Sequence, residues 1–161
     1  MRLRGDKRNE SGGDLKLAGM RDRALGWDAA PMTLRLLIVD DSPRFLQAAC
    51  WLLERQGLTV VGVASDTSEA LRQAEALRPD VILVDIDLGG ESGFELARRL
   101  DQHADLAPGG TILISTHHPD DFAELIAASP AVGFLPKSEL SAGAILDLVS
   151  GTRGGGHAAG T

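Results

Sequence analysis

Five times between Leu34 and Val149 a short apolar run gives way to an amphipathic stretch, so the hydrophobic period switches repeatedly between strand and helix. LRLLIV (34–39) is apolar at every position except Arg35, the pattern of a strand covered on both faces. SPRFLQAACWLLERQG follows, with Ser42 as N-cap, Pro43 at the first helical position and Phe45, Leu46, Ala49, Leu52 and Leu53 on one face before Gly57 ends it. LTVVGVAS (58–65) reads as a second strand and DTSEALRQAEAL as a second helix, with a capping box from Asp66 to Glu69 and a stop at Pro79. DVILVD (80–85), TILIST (111–116) and AVGFLPK (131–137) supply strands three to five. GFELARRL (93–100), PDDFAELIAAS with Phe122, Leu125 and Ile126 on one side, and a last helix starting at a Ser138 cap complete the alternation.

Buried strands alternating with helices require right-handed crossovers, and therefore a parallel sheet with helices on both faces. Five such units are too few for a closed barrel, which needs about eight. The expected fold is α/β: a doubly wound (βα)5 unit around a five-stranded parallel sheet. Ligands of such sheets bind outside the C-terminal ends of the strands.

Composition narrows the function classes. Residues 1–32 carry seven Lys/Arg and five Asp/Glu, which leaves nine against eighteen, a net −9, for the remainder. Phosphate backbones need clustered positive charge, so the folded part is not expected to bind DNA. The single cysteine, Cys50, excludes a disulfide within the chain and reads as a small buried hydrophobe on helix one. No apolar run approaches the roughly 18 residues of a membrane span and no signal core is visible, so a cytoplasmic protein is expected. Residues 1–31 read as a disordered or non-native extension, since MTLRLLIVDD from Met32 would itself start the domain. Residues 151–161 read as a flexible, glycine-rich tail, leaving 32–150 as the folded domain.

At the ligand-binding rim the chain places Asp40 and Asp41 after strand one, Asp85 after strand three, Ser115 and Thr116 after strand four, and Lys137 after strand five. Any one of these acids could be a loop or helix cap. Three carboxylates converging on one pocket repel one another, and the arrangement implies a cation. All-oxygen donors with no suitably spaced Cys or His favour a hard divalent ion, and a small carboxylate set suits Mg2+ better than Ca2+. Mg2+ beside a free carboxylate, a hydroxyl and a lysine is the equipment of phosphoryl transfer, with Asp85 as the nucleophile that would form an acyl phosphate. His117 and His118 are neighbours on an extended chain and point apart, which favours a solvated loop over a metal pair.

LRLLIVDD, VILVDIDLGGESGFEL, ILIST and GFLPK, in this order and spacing, resemble the receiver domain of two-component response regulators across residues 34–150. The resemblance implies strand order 2-1-3-4-5 and Asp85 as phosphoacceptor. It implies Mg2+ held by Asp40, Asp41, Asp85 and the backbone carbonyl of Asp87, with Lys137 contacting the phosphate. Ser115 and Phe134 take the switch hydroxyl and switch aromatic positions. A histidine kinase or phosphotransfer protein would be the donor, and the chain would catalyse only its own phosphorylation and dephosphorylation.

The DID run also resembles the haloacid-dehalogenase phosphatase motif, but those enzymes carry it on the first strand, whereas here the paired acids precede it by 44–45 residues. A scaffold receiver that never turns over phosphate is a further alternative, although such proteins commonly lose one of the acids or the lysine. Three departures stand out. Gly89 occupies the usual proline position, expected to loosen that loop; Thr116 replaces a smaller residue; Ser138 follows Lys137 as in regulators with helix-turn-helix output. SGTRGGGHAAGT is too short for a DNA-reading module, so a stand-alone receiver is expected to signal to an unknown protein target through its own surface. Helix four, strand five and helix five are the expected surface for that output and for a possible homodimer.

Overall fold

The computed structural model describes residues 33–154; Trp27, the N-terminal extension and most of the C-terminal tail lie outside the described residues. Strands β1 (Arg35–Val39), β2 (Thr59–Ala64), β3 (Val81–Asp85), β4 (Thr111–Ser115) and β5 (Gly133–Pro136) form one sheet in the order β2-β1-β3-β4-β5. Every pairing is parallel, which is the doubly wound arrangement expected from the alternation.

Strand side chains divide strictly by parity. Leu36 and Ile38 of β1, Val81 and Leu83 of β3, and Ile112 and Ile114 of β4 face helices α1 (Pro43–Arg55) and α5 (Ala142–Gly154). Leu37, Val39, Ile82, Val84 and Leu113 face helices α2 (Thr67–Leu77) and α3 (Gly93–Asp101). Covering both faces is why these runs lack polar interruptions, and it fixes the register that brings the strand ends level.

The exception, Arg35, has a purpose. Its guanidinium donates to the carbonyls of Leu77 (2.7 Å) and Arg78 (2.6 Å), and its amide donates to Asp80 Oδ2 (2.9 Å). These are carbonyls at the C-terminal end of α2, where Arg78 caps the helix in a left-handed conformation (φ 50°) that glycine usually supplies.

Two elements differ from expectation. The stretch predicted as a single fourth helix is a 3-10 turn, Pro119–Phe122, followed by a six-residue helix α4 (Ala123–Ala128) with no buried residue and no side-chain cap. Leu125 is 52% exposed, and Phe122 (φ −132°) turns its ring toward Phe94 and His117 instead of continuing the helix. The last helix does not start at Ser138: Lys137–Glu139 form a 3-10 turn that sends Leu140 inward, and Ser141 caps α5 by accepting from the Ala144 amide (3.0 Å). The Ala142 amide is satisfied by Gln56 Oε1 (2.6 Å), which ties the end of α1 to the start of α5. Helix α5 also runs beyond the boundary expected at residue 150, to Gly154.

Arg35→Met keeps the stem and removes the donors to the α2 terminus. It is expected to lower the urea unfolding free energy by about 1–3 kcal/mol with an unchanged denaturant slope.

Candidate functional site

The site lies where β1, β3 and β5 end. Asp40, directly after β1, is fully buried. Its Oδ1 accepts from the Ser42 amide (2.8 Å), so the start of α1 fixes the carboxylate; Ser42 Oγ in turn accepts from the Phe45 amide (3.2 Å). Asp85, 7% exposed, closes β3, and its Oδ1 accepts from the Asp87 amide (3.0 Å). α3 can begin this close to β3 only because residue 93 is glycine: a Cβ there would lie 2.0 Å from the Asp85 carbonyl oxygen.

Lys137, immediately after β5, reaches across to both acids. Its Nζ lies 2.5 Å from Asp40 Oδ2 and 2.8 Å from Asp85 Oδ2, and 4.2 Å from the centre of the Phe45 ring, whose face favours a cation. Desolvation by itself would lower the lysine's pKa, but its bonds to Asp40 and Asp85 outweigh that, and the net direction is up. Burial dominates at Asp85 and pushes its carboxyl above the ordinary range, against the opposing pull of the Asp87 amide and Lys137.

Asp41 is exposed, yet its carboxylate comes within 4.8 Å of those of Asp40 and Asp85. Three carboxylates and one ammonium leave a formal charge of −2. Moreover, Asp40 Oδ2 is buried and has only the lysine ion pair, without a hydrogen bond of good geometry. A hard divalent cation fits this donor set, which contains oxygen alone.

Asp87 and Ser115 lie beside the carboxylates, whereas Phe134 and Cys50 stand apart. Asp87 is fixed through its amide and through its side chain, whose Oδ1 accepts from Gly89 (3.1 Å). Ser115 ends β4 beside Asp85 on the neighbouring strand; it is 1% exposed, and its Oγ accepts from the His117 amide (2.9 Å). Phe134 stands apart from the carboxylates, half-buried in a groove of 570 Å3 between β5 and α4 that Thr116, His117 and Ile126 also line. Cys50 is half-buried, its thiol pushed up by burial and by Glu54.

Two features of the site escaped sequence reasoning. Gly89 meets a backbone requirement of its loop. It sits at φ +68°, where a Cβ would lie 2.5 Å from Asp41 Oδ2, and the loop is pinned by Leu88 N–H donating to the Glu91 carbonyl (3.0 Å) and by Glu91 Oε1 accepting from the Thr67 amide (2.8 Å). His117 and His118 are exposed loop residues, as expected, but His117 Nδ1 also lies 3.3 Å from Ser115 Oγ and its ring meets Phe122 edge-on, with centroids 5.5 Å apart. The i, i+2 spacing from Ser115 was the only available signal.

The sequence profile of the response regulator receiver domain matches residues 36–149. The chain belongs to this family. Response regulator GacA of Pseudomonas viridiflava is 31% identical over 106 residues, covering 65% of this chain and 48% of GacA. The chain spans about half the length of the curated relatives it matches. Among solved structures, chemotaxis response regulator CheY4 of Vibrio cholerae is 26% identical with TM-score 0.61, covering 74% of this chain and 98% of that one. A Burkholderia pseudomallei response regulator with a phosphorylated aspartic acid, calcium ion and citrate is 26% identical with TM-score 0.61, covering 77% and 73% respectively. The receiver fold and its strand order are thus shared with solved relatives.

Two outcomes follow for this receiver. Because the Asp85 carboxyl titrates above its ordinary value of 3.8, the folded state holds that proton more tightly than the unfolded chain. Its stabilising contribution is full below the unfolded pKa and is lost as pH rises through the folded one. In chelator at neutral pH, Asp85→Asn is therefore expected to raise the thermal midpoint and to flatten its decline with pH. Gly89→Ala forces a side chain into the left-handed region at a cost of roughly 1–2 kcal/mol and against Asp41, so calorimetric titration should show weaker Mg2+ binding than in the parent.

Proposed function

We propose that this receiver accepts a phosphoryl group on Asp85 from the phosphohistidine of a histidine kinase or phosphotransfer protein, in a reaction that requires Mg2+. The observation that carries the reading is Lys137 Nζ held between Asp40 and Asp85, at 2.5 and 2.8 Å, within a three-carboxylate cluster. The similar Burkholderia pseudomallei response regulator, whose structure carries a phosphorylated aspartic acid, supports it.

Asp85 presents a carboxylate oxygen to the donor phosphorus. The new P–O bond forms as the donor's P–N bond breaks, and the departing imidazole takes up a solvent proton. Asp40, Asp41, a carboxylate oxygen of Asp85 and the Asp87 carbonyl would hold Mg2+, which when bound supplies positive charge to the phosphoryl oxygens. Lys137 exchanges its pairing with the Asp85 carboxylate for a contact to the transferred group. The Ser115 hydroxyl donates to another phosphoryl oxygen. Both residues sit at strand ends, so meeting the new charge pulls on β4 and β5 together, and Phe134 repacks in the groove beside α4.

Output therefore passes through α4, β5 and α5, to a protein target or a second copy of the chain. The chain acts catalytically only on itself, adding and losing its own phosphoryl group. Among the described residues no helix is long and apolar enough to cross a membrane, and a cytoplasmic site of action is part of the proposal.

Incubation with a small acyl-phosphate donor and Mg2+ is expected to add one phosphate by intact-mass analysis, and none in Asp85→Asn or when the metal is chelated. Equal labelling of the parent and the variant would refute Asp85 as acceptor.

A further inference from the structure

We infer that His117 is a positioning residue that holds the Ser115 hydroxyl out of reach of the phosphoryl group, so that phosphorylation at Asp85 must compete with this imidazole for the single hydroxyl proton of Ser115. The inference rests on the reading of Asp85 as phosphoacceptor and deepens it.

A serine hydroxyl has one proton to give and two lone pairs to offer. Ser115 is 1% exposed, so its proton needs an acceptor within the protein. The His117 amide already donates to its oxygen at 2.9 Å. Among the described residues the acceptor in reach of the proton is His117 Nδ1, at 3.3 Å. That assigns the neutral imidazole its proton on Nε2 and commits the Ser115 hydroxyl to His117. When Ser115 donates to a phosphoryl oxygen, the bond to His117 has to break, because no second proton exists.

What is released lies at the signalling surface. The His117 ring packs edge-on against Phe122 and stands in the wall shared by two grooves, one lined by Phe134 and Ile126, the other by Phe94 and Leu125. Phe122 also packs at a tilt on Phe94, with centroids 6.2 Å apart, and leads directly into α4. α4 buries no residue of its own, and the ring contacts of Phe122 hold the residue at its N-cap. Loss of the Ser115–His117 bond thus frees the imidazole beside that N-cap.

Two substitutions separate the bond from the packing. His117→Asn keeps an acceptor atom near the position of Nδ1, whereas His117→Phe keeps the ring against Phe122 and removes the acceptor. Calorimetric titration of the full chain with beryllofluoride and Mg2+ is expected to give affinity roughly 2–10-fold tighter for His117→Phe than for the parent, the span of one hydrogen bond's net worth, and parent-like affinity for His117→Asn. Nitrogen NMR of the unmodified protein should find Nδ1 unprotonated and hydrogen-bonded, with that signature lost on beryllofluoride binding. Equal affinity in the three proteins, or a protonated Nδ1 in the free form, overturns the inference while leaving Asp85 in its role. Failure of all three to bind beryllofluoride overturns both readings.

Discussion

Lys137 holds the site together across the sheet. Its ammonium, set after the edge strand β5, meets carboxylates that follow β1 and β3, so one cation spans the C-terminal rim of the fold. Asp85 would not remain ionised there at low cost alone: it is nearly fully buried, and desolvation opposes its charge. One ammonium is nevertheless insufficient for three carboxylates. The remaining negative charge suits a second cation, and under the proposed function a transferred phosphoryl group would change the balance between the two. A site held this way is stiff in geometry and responsive in charge.

The position of the lysine depends on everything beneath it. Strand register is set by side chains alternating between two apolar layers, and those layers are completed by α1 and α5 on one face and α2 and α3 on the other. A slip of one residue in β5 would carry Lys137 to the wrong face. The bond from Ala142 to Gln56 matters in the same sense, because it fixes the start of α5 close behind the turn that carries Lys137.

Much of this was legible in the sequence because it follows from period and position. Runs such as VILVD declare two buried faces, and a residue that ends such a run must lie at the rim, so Asp40, Asp85, Ser115 and Lys137 could be placed together without coordinates. What escaped was decided by tertiary competition. Ser138 and Ser141 are both chemically able to cap a helix, and the burial of Leu140 between them chose Ser141. Phe122 fits a helical face by spacing, yet ring contacts with Phe94 and His117 take it out of the helix. Gly89 looked like a missing proline, and only its backbone angle and the nearby Asp41 carboxylate show that a side chain there would be strained. His117 depends on which way a serine rotamer turns, and no periodicity encodes that.

The slight anchoring of α4 has an evolutionary side. A helix whose residues are all at least partly exposed contributes little to the core, so substitutions in Ala123–Ala128 carry a small folding penalty. The fully buried side chains of the central strands, by contrast, tolerate little change in volume. If output passes through this surface as proposed, recognition there can diverge quickly between related chains while the chemistry stays fixed, and a lineage could acquire a new partner without passing through an unstable intermediate.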